Sequence, residues 1–226
     1  MQIALFDLDN TLLDGDCDVE WSDFLARHGA MDATRTRAFH EDYHLGTLDI
    51  DEFLRFQLEP LAREPLARLL TWRRECMVEL LRPRISDAAR ALVNLHRRAG
   101  HELVLITATN RFLAEPIAAE FGIVHILATE PESIDGRFTG RVAGTPCFRE
   151  GKVTRFGAWL KERASELAGG HETWFYSDSH NDLPLLSHVT HPVCVGPDAQ
   201  LRSHALLHDW PIIELSANAE SRRTTG

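Results

Sequence analysis

Short apolar segments alternate with amphipathic helical segments along most of this 226-residue sequence. Residues 3–6 form an apolar run that ends in acids, and residues 101–107 form another after a helical segment that Gly100 terminates. Further apolar runs follow at 123–128, 172–177, 192–195 and 212–215. Strands that alternate with helices are typical of a parallel sheet covered on both faces. The sequence therefore predicts an α/β fold with a doubly wound, Rossmann-like parallel sheet.

One long segment, from Val19 to about Arg82, interrupts this alternation. Its apolar residues recur at helical spacing, and no convincing strand lies among them. We expect an α-helical insertion over residues 15–85, within a core formed by residues 1–14 and 86–226. The chain crosses between the core and the insertion at Gly15 and at residues 84–86, and these two chain crossings are hinge candidates.

The charge and cysteine content exclude several classes of protein. The 24 Lys and Arg against 34 Asp and Glu give a formal net charge of −10, and no basic cluster offers a surface for nucleic acid. The four cysteines are scattered without a CxxC pair, so we expect neither a zinc knuckle nor disulfides, but a reducing cytoplasm. The N-terminus carries no leader or long apolar stretch, which argues against export and against the membrane. Monomer and homodimer both stay open.

Polar side chains follow several predicted strands at the point where each strand ends. Because ligands bind at the carboxyl ends of parallel strands, we expect these side chains to meet at one edge of the sheet. The residues concerned are Asp7 and Asp9 after the first strand, Thr107 at the end of the second, Asp178 after the strand at 172–177, Asn181 and Asp182 one turn later, and Lys152 at the start of the preceding helix.

This set fits the hydrolysis of a phosphomonoester, which requires a nucleophile, neutralisation of the phosphoryl oxygens and a proton for the leaving alkoxide. Asp7 and Asp178 can provide the one or two carboxylates that Mg²⁺ takes in proteins while it keeps several waters. A carboxylate nucleophile would form an aspartyl-phosphate and so divide one difficult displacement into two easier ones. Lys152 opposes the helix dipole unless it reaches an anion.

The run Asp7-Leu8-Asp9-Asn10-Thr11, followed by Thr107, Lys152 and Asp178-Ser179-His180-Asn181-Asp182, resembles the four motifs of the haloacid dehalogenase superfamily. The resemblance implies that Asp7 is the nucleophile and that Asp9 is the general acid and base, with its backbone carbonyl on Mg²⁺. It makes Asp178 the third metal ligand and Asp182 a support for the metal shell. The residues it assigns to the phosphate are Thr107, Ala108, Lys152 and Asn181.

The helical insertion is similar to the cap of the phosphoserine phosphatase branch. An acid nine residues after the nucleophile contacts the substrate amine in that branch, and Asp16 holds this spacing here. Tyr43 is a second candidate for a contact with substrate.

The motif sequences also bear on the substrate. Thr107-Ala108-Thr109 stands where phosphoserine phosphatases usually carry Ser-Gly-Gly. The segments FDLDNTLL, ITATNRF, GRFTG and FREGKV resemble a bacterial subgroup that includes histidinol-phosphatases. A small phosphorylated metabolite is therefore the expected substrate, with histidinol phosphate first and phosphoserine or another small phosphometabolite as the alternative.

Two other functional classes stay open at this point. His40-Glu41-Asp42-Tyr43-His44 matches the HExxH pattern of zinc peptidases, although twelve histidines make such a match easy to obtain. A phosphate-accepting Asp with Mg²⁺ would also suit a signalling module, but such modules lack the large insertion. Taken singly, the acids also suit a polar turn or a helix cap.

Overall fold

The computed structural model describes residues 1–45, 47–164 and 170–215, without the side chains of residues 33, 40 and 43–45. Its main sheet has six parallel strands in the order β3-β2-β1-β6-β7-β8, and β4 and β5 form a separate antiparallel hairpin. The strands are β1 (Gln2–Phe6), β2 (Glu102–Asn110), β3 (His125–Thr129), β4 (Pro131–Ile134), β5 (Arg137–Val142), β6 (Glu172–Ser177), β7 (His191–Val195) and β8 (Ile212–Ile213).

In the described parts of the chain, four α-helices lie between β1 and the next core helix, and five follow from there on. They are α1 (Cys17–Arg27), α2 (Ala33–Leu45), α3 (Ile50–Arg63), α4 (Leu66–Cys76), α5 (Asp87–Arg98), α6 (Arg111–Glu120), α7 (Glu150–Glu162), α8 (Leu183–Leu186) and α9 (Ala199–Leu207). A π-helical segment, Met77–Leu81, and a 3₁₀ turn, Arg82–Arg84, continue α4 towards the core.

The sheet is covered on both faces, as the side chains of β1 demonstrate. Ala4 and Phe6 belong to one apolar cluster with residues of α5 and α6. Ile3 and Leu5 point the other way and join a second cluster with residues of α7 and α9. Successive side chains of a strand face opposite sides, so a strand buried on both faces reads as a continuous apolar run. The predicted doubly wound α/β fold is confirmed.

The predicted strands and most predicted helices occur within a few residues of their expected positions. Besides strand β4, one helix, α9, was not predicted from the sequence. Its buried positions are only Leu201 and Ala205, and Asp198 caps it by accepting a hydrogen bond from the Leu201 amide. A single buried stripe of two residues gives a weak periodic signal.

The helical segment from α1 to α4 lies where the insertion was expected, and the division at 15–85 stays a prediction. The two chain crossings are adjacent, because the Asp14 amide donates to the Arg84 carbonyl at 2.9 Å. Gly15 adopts a φ of +138°, a backbone conformation that side chains rarely allow.

The insertion also meets the core through a second contact, where α3 packs against β5. Gly140 has a φ of +80°, and a Cβ atom there would lie 3.3 Å from the Ala62 Cβ, so glycine permits this close approach. Among the described residues, no helix has both the length and the apolar character that crossing a bilayer requires.

Candidate active site

The carboxyl ends of three neighbouring strands, β1, β2 and β6, open into one pocket together with the first turn of α7. Nearly all the residues predicted for the site line this pocket, namely Asp7, Asp9, Asp16, Thr107, Ala108, Lys152, Asp178, Asn181 and Asp182. The side chain of Tyr43 lies outside the described residues, so its contact with substrate stays a prediction. The parallel sheet thus gathers residues that are distant in sequence.

A buried lysine joins two of the carboxylates. The Lys152 ammonium donates to Oδ1 of Asp7 and to Oδ2 of Asp182, both at 2.7 Å. The Ser177 hydroxyl donates to the same Asp182 oxygen at 2.6 Å, and the Asp7 amide donates to the Tyr176 carbonyl at 2.9 Å. Asp7, Lys152 and Asp182 are 6%, 3% and 3% exposed, so these charge-assisted bonds are shielded from water.

The start of α7 is packed closely enough to fix the direction of this lysine. A Cβ atom on Gly151 would lie 1.9 Å from the Pro146 carbonyl oxygen, so only glycine fits there. The preceding Arg149 has a left-handed φ of +49°, and its Nε donates to Oδ1 of Asn181 at 2.8 Å. A strained backbone at a non-glycine residue commonly accompanies a functional site.

This end of the pocket carries an excess of negative charge. Burial raises the pKa of Asp7 to about 7, while the Lys152 ammonium lowers it and the carboxylates of Asp182 and Asp9 raise it. Burial, followed by the charge of Asp7, raises the pKa of Asp178 well above its usual range. Burial lowers the pKa of Lys152, but Asp182 and Asp7 outweigh this effect and raise it. One ammonium against three clustered carboxylates favours a bound cation.

The donor atoms fit Mg²⁺. Asp7 and Asp178 offer carboxylate oxygens in the pocket that Asp9 also lines, and the Thr11 hydroxyl orients Asp178 by donating to its Oδ1 at 3.2 Å. Within the described part of the chain, no three side chains of His, Cys, Asp or Glu are grouped to hold a metal by themselves. A Mg²⁺ site needs fewer, because this ion usually keeps several waters and takes only one or two carboxylates.

The carboxylate of Asp9 is held between the core and the insertion. The amide of Cys17, the first residue of α1, donates to its Oδ1 at 2.7 Å. The hydroxyl of Thr109, in β2, donates to its Oδ2 at 2.6 Å. The Thr109 amide in turn donates to the Thr107 hydroxyl at 3.1 Å. The end of β2 therefore links two threonines to Asp9, in the loop that follows β1.

The part of the lining that comes mainly from the insertion is largely apolar, and we call it the apolar end. Its wall consists of Phe39, Leu48, Ile50 and Phe53 from the insertion and Phe148 from the core. The rings of Phe39 and Phe53 meet edge to face at 5.6 Å. A flat, apolar part of a ligand would pack against these side chains.

Two further acids from the insertion, Asp16 and Asp18, line the same pocket. Asp16 caps α1 by accepting from the amides of Asp18 and Val19. Burial, and then the charge of Asp9, raises the pKa of Asp16 to about 7. Oδ1 of Asp18 is buried and has no hydrogen-bond partner among the described residues, and burial raises the pKa of this carboxyl well above its usual range.

The lining is strongly biased in charge. Among the described residues that form it, Lys152 is the only cation, whereas six are aspartates. Lys152 already bonds to Asp7 and Asp182 at one end, so the apolar end offers acids and no described basic group. This arrangement suits a ligand that carries phosphate at one end and positive charge at the other.

The sequence analysis missed some of these residues. Thr109 entered it only as a departure from a motif, Arg149 only within the quoted segment FREGKV, and Asp18 not at all. The alternation of strands and helices predicts where each strand ends. It does not indicate a second functional residue on the same strand, and it does not indicate which face of a helix points into a pocket. The His40 and His44 side chains of the HExxH match lie outside the described residues.

Comparison with known proteins agrees with this geometry. A model of the haloacid dehalogenase-like hydrolase family matches residues 4–187. A histidinol-phosphatase of Neisseria meningitidis serogroup C is 46% identical over 216 residues, which cover 93% of this chain and 97% of that protein. A phosphoserine phosphatase of Mycobacterium tuberculosis is 33% identical over 216 residues, covering 92% and 69% of the two chains.

Solved structures give the same result. A Bordetella pertussis protein of unknown function has a TM-score of 0.88 at 44% identity, covering 95% of this chain and 99% of its own. A phosphoserine phosphatase, solved as an analogue of its phospho-aspartyl intermediate, has a TM-score of 0.67 at 16% identity over 95% and 93% of the two chains, which reflects a shared fold. With the family model matched over most of its length, the chain belongs to the haloacid dehalogenase-like hydrolase family.

Proposed function

We propose that this protein is a Mg²⁺-dependent phosphomonoester hydrolase that acts on histidinol phosphate through an aspartyl-phosphate at Asp7. The enzyme is a phosphatase, as its family and its 46% identity to a histidinol-phosphatase indicate. The observation that carries the chemistry is the buried Asp7–Lys152–Asp182 group, with Asp9 beside it. A zinc peptidase and a signalling module do not belong to this family.

In the first step, an oxygen of Asp7 attacks the phosphorus, and the bond from phosphorus to the ester oxygen breaks. Oδ1 of Asp7 is bonded to Lys152, which leaves Oδ2 as the attacking atom. The proton of Asp9 goes to the departing alkoxide. Thr107, Lys152, Asn181 and the Ala108 backbone hold the phosphoryl oxygens, where positive charge and hydrogen-bond donors stabilise the transition state.

In the second step, water attacks the phosphorus of the aspartyl-phosphate. Asp9, now ionised, takes a proton from that water as general base. The bond between phosphorus and the Asp7 oxygen breaks, inorganic phosphate is released, and the free carboxylate of Asp7 is regenerated. The burial of Asp7 keeps other water away from the intermediate.

The metal would be held by the carboxylates of Asp7 and Asp178 and by the Asp9 carbonyl, with Asp182 supporting this shell. Bound Mg²⁺ would neutralise charge on the phosphoryl oxygens and would allow the acids to coexist in ionised form. The excess negative charge described above supports this assignment.

The charge of the pocket favours histidinol phosphate over phosphoserine. Histidinol phosphate carries an ammonium and an imidazole besides its phosphate, whereas phosphoserine carries an ammonium and a carboxylate. Asp16 and Asp18 would attract the first substrate and repel the carboxylate of the second, and the apolar wall suits the imidazole ring. Asp16 also keeps the spacing expected of the acid that contacts the amine.

A phosphate-release assay with Mg²⁺ over histidinol phosphate, phosphoserine and 4-nitrophenyl phosphate tests this proposal. We expect kcat/KM for histidinol phosphate to exceed that for phosphoserine by about 100-fold or more, roughly 3 kcal/mol of discrimination. A preference for phosphoserine would overturn the substrate, and Mg²⁺-independent turnover would overturn the chemistry.

We also propose that the protein works in a reducing cytoplasm, which its four free and buried cysteines support. The choice between monomer and homodimer stays a prediction.

A further inference from the structure

We propose that Thr109 is a positioning residue that aims the Asp9 carboxylate at the leaving group of the substrate. This inference rests on the proposed function, because it takes Asp9 as the general acid. It extends that function to a residue that the motif resemblance leaves without a role.

The first argument is geometric. Each oxygen of the Asp9 carboxylate accepts one hydrogen bond from a group fixed by the fold, Oδ1 from the Cys17 amide at 2.7 Å and Oδ2 from the Thr109 hydroxyl at 2.6 Å. Two bonds from opposite sides fix the rotation of the carboxylate. Thr109 is 1% exposed, so water does not compete for its hydroxyl.

The second argument concerns the kind of donor. The Cys17 amide can only donate, so Oδ1 is an acceptor throughout, and Oδ2 is the oxygen that can take up a proton. A carboxylate oxygen has two lone pairs, so Oδ2 can keep accepting from the Thr109 hydroxyl while its other lone pair carries the proton that goes to the leaving group. The Cys17 thiol lies 3.3 Å from the Thr109 oxygen and can exchange roles with it. Thr109 can therefore hold Asp9 in both halves of the reaction.

The third argument is that Thr109 is itself fixed. It lies in β2, and its amide donates to the Thr107 hydroxyl at 3.1 Å. Thr109 therefore fixes the position of Asp9 relative to the same end of β2 that is proposed to hold the phosphate. Placing an acid within a fraction of an ångström of its target is what such supporting contacts achieve.

The test compares two esters that differ in their need for a proton. The alkoxide of histidinol phosphate must be protonated as it leaves, whereas 4-nitrophenolate departs without a proton. In single-turnover reactions with Mg²⁺, Thr109→Val should slow alcohol release from histidinol phosphate about 30-fold, less than the roughly 10²- to 10⁴-fold that a general acid contributes, because Asp9 itself remains. Release of 4-nitrophenolate should slow far less, so the ratio of the two rates should fall about tenfold. Thr109→Ser, which keeps the hydroxyl, should restore the ratio.

Thr36→Val is the matched control, because Thr36 is also a buried threonine and its hydroxyl donates to the Asp32 carbonyl away from the pocket. This variant should keep the ratio of the wild type. An equal loss for both esters in Thr109→Val, or no loss, would overturn the positioning role, as would failure of Thr109→Ser to restore the ratio. If the wild type itself releases no phosphate in the presence of Mg²⁺, the proposed function fails instead.

Discussion

The two ends of the pocket differ in how far their polar side chains are paired with one another. At the phosphate end, side chains from strand ends and from the first turn of α7 are paired with one another, as Lys152 is with Asp7 and Asp182. At the end formed by the insertion, apolar side chains surround two acids, and Oδ1 of Asp18 has no partner among the described residues. A paired group is ready for chemistry, whereas an unpaired buried oxygen is suited to a partner that arrives with the substrate. Variants at the first end should affect every ester, and variants at the second should affect only the choice of ester.

The largest effect is expected for Asp7→Asn. This substitution removes the nucleophile and should lower kcat for every ester by at least about 10⁴-fold. Lys152 keeps its bond to Asp182, so the fold should persist, which thermal unfolding checks. Substantial phosphate release by a folded variant would refute the role of Asp7.

Lys152→Gln should come next, with a loss of about 10²- to 10³-fold in kcat/KM for histidinol phosphate and for 4-nitrophenyl phosphate alike, because the positive charge at the phosphate is lost. It leaves buried carboxylates without their cation and should also lower the melting temperature. Lys161→Gln, an exposed change on the same helix, is the control and should behave as the wild type. A selective loss for one ester would break the distinction between the two ends.

Asp18→Asn should raise KM for histidinol phosphate about tenfold, which corresponds to roughly 1.4 kcal/mol of binding free energy. The same variant should be at least as stable as the wild type, since a neutral amide avoids the cost of ionising a carboxyl whose Oδ1 is buried without a partner among the described residues. Asp23→Asn, an exposed change on the same helix α1, is the control. An unchanged preference among the esters would show that Asp18 does not select the substrate.

Phe53→Ala should have the smallest effect, a rise of about threefold in KM for histidinol phosphate from the loss of part of the apolar wall. Steady-state kinetics with Phe53→Leu for comparison will separate apolar area from ring stacking. A fall in kcat with KM unchanged would place Phe53 at the phosphate end instead.

The same contrast explains how much the sequence could predict. The phosphate end follows from alternation and strand ends, because a parallel sheet brings Asp7, Thr107 and Asp178 to one edge whatever the details of packing. Lys152 was assigned because a cation at the start of a helix is unfavourable unless it reaches an anion. The buried ion pair explains why the lysine lies there.

The other end could not be predicted in this way. Phe39, Phe53 and Asp18 lie on helices of the insertion, and their directions depend on how those helices pack against the core, including the contact of α3 with β5. Helical periodicity identifies a buried face but does not tell a core from a pocket wall. Thr109 was equally hidden, because its hydroxyl matters only through its bond to Asp9, in the loop that follows the neighbouring strand β1.

The most direct test of this account is to stop the reaction with acid during turnover of histidinol phosphate with Mg²⁺ and to map the phosphorylated residue by mass spectrometry. We predict one phosphoryl group on Asp7, formed as fast as the alcohol is released and absent in Asp7→Asn. A phosphoryl group on another residue, or alcohol release with no covalent adduct at any time in a rapid-quench series, would contradict it.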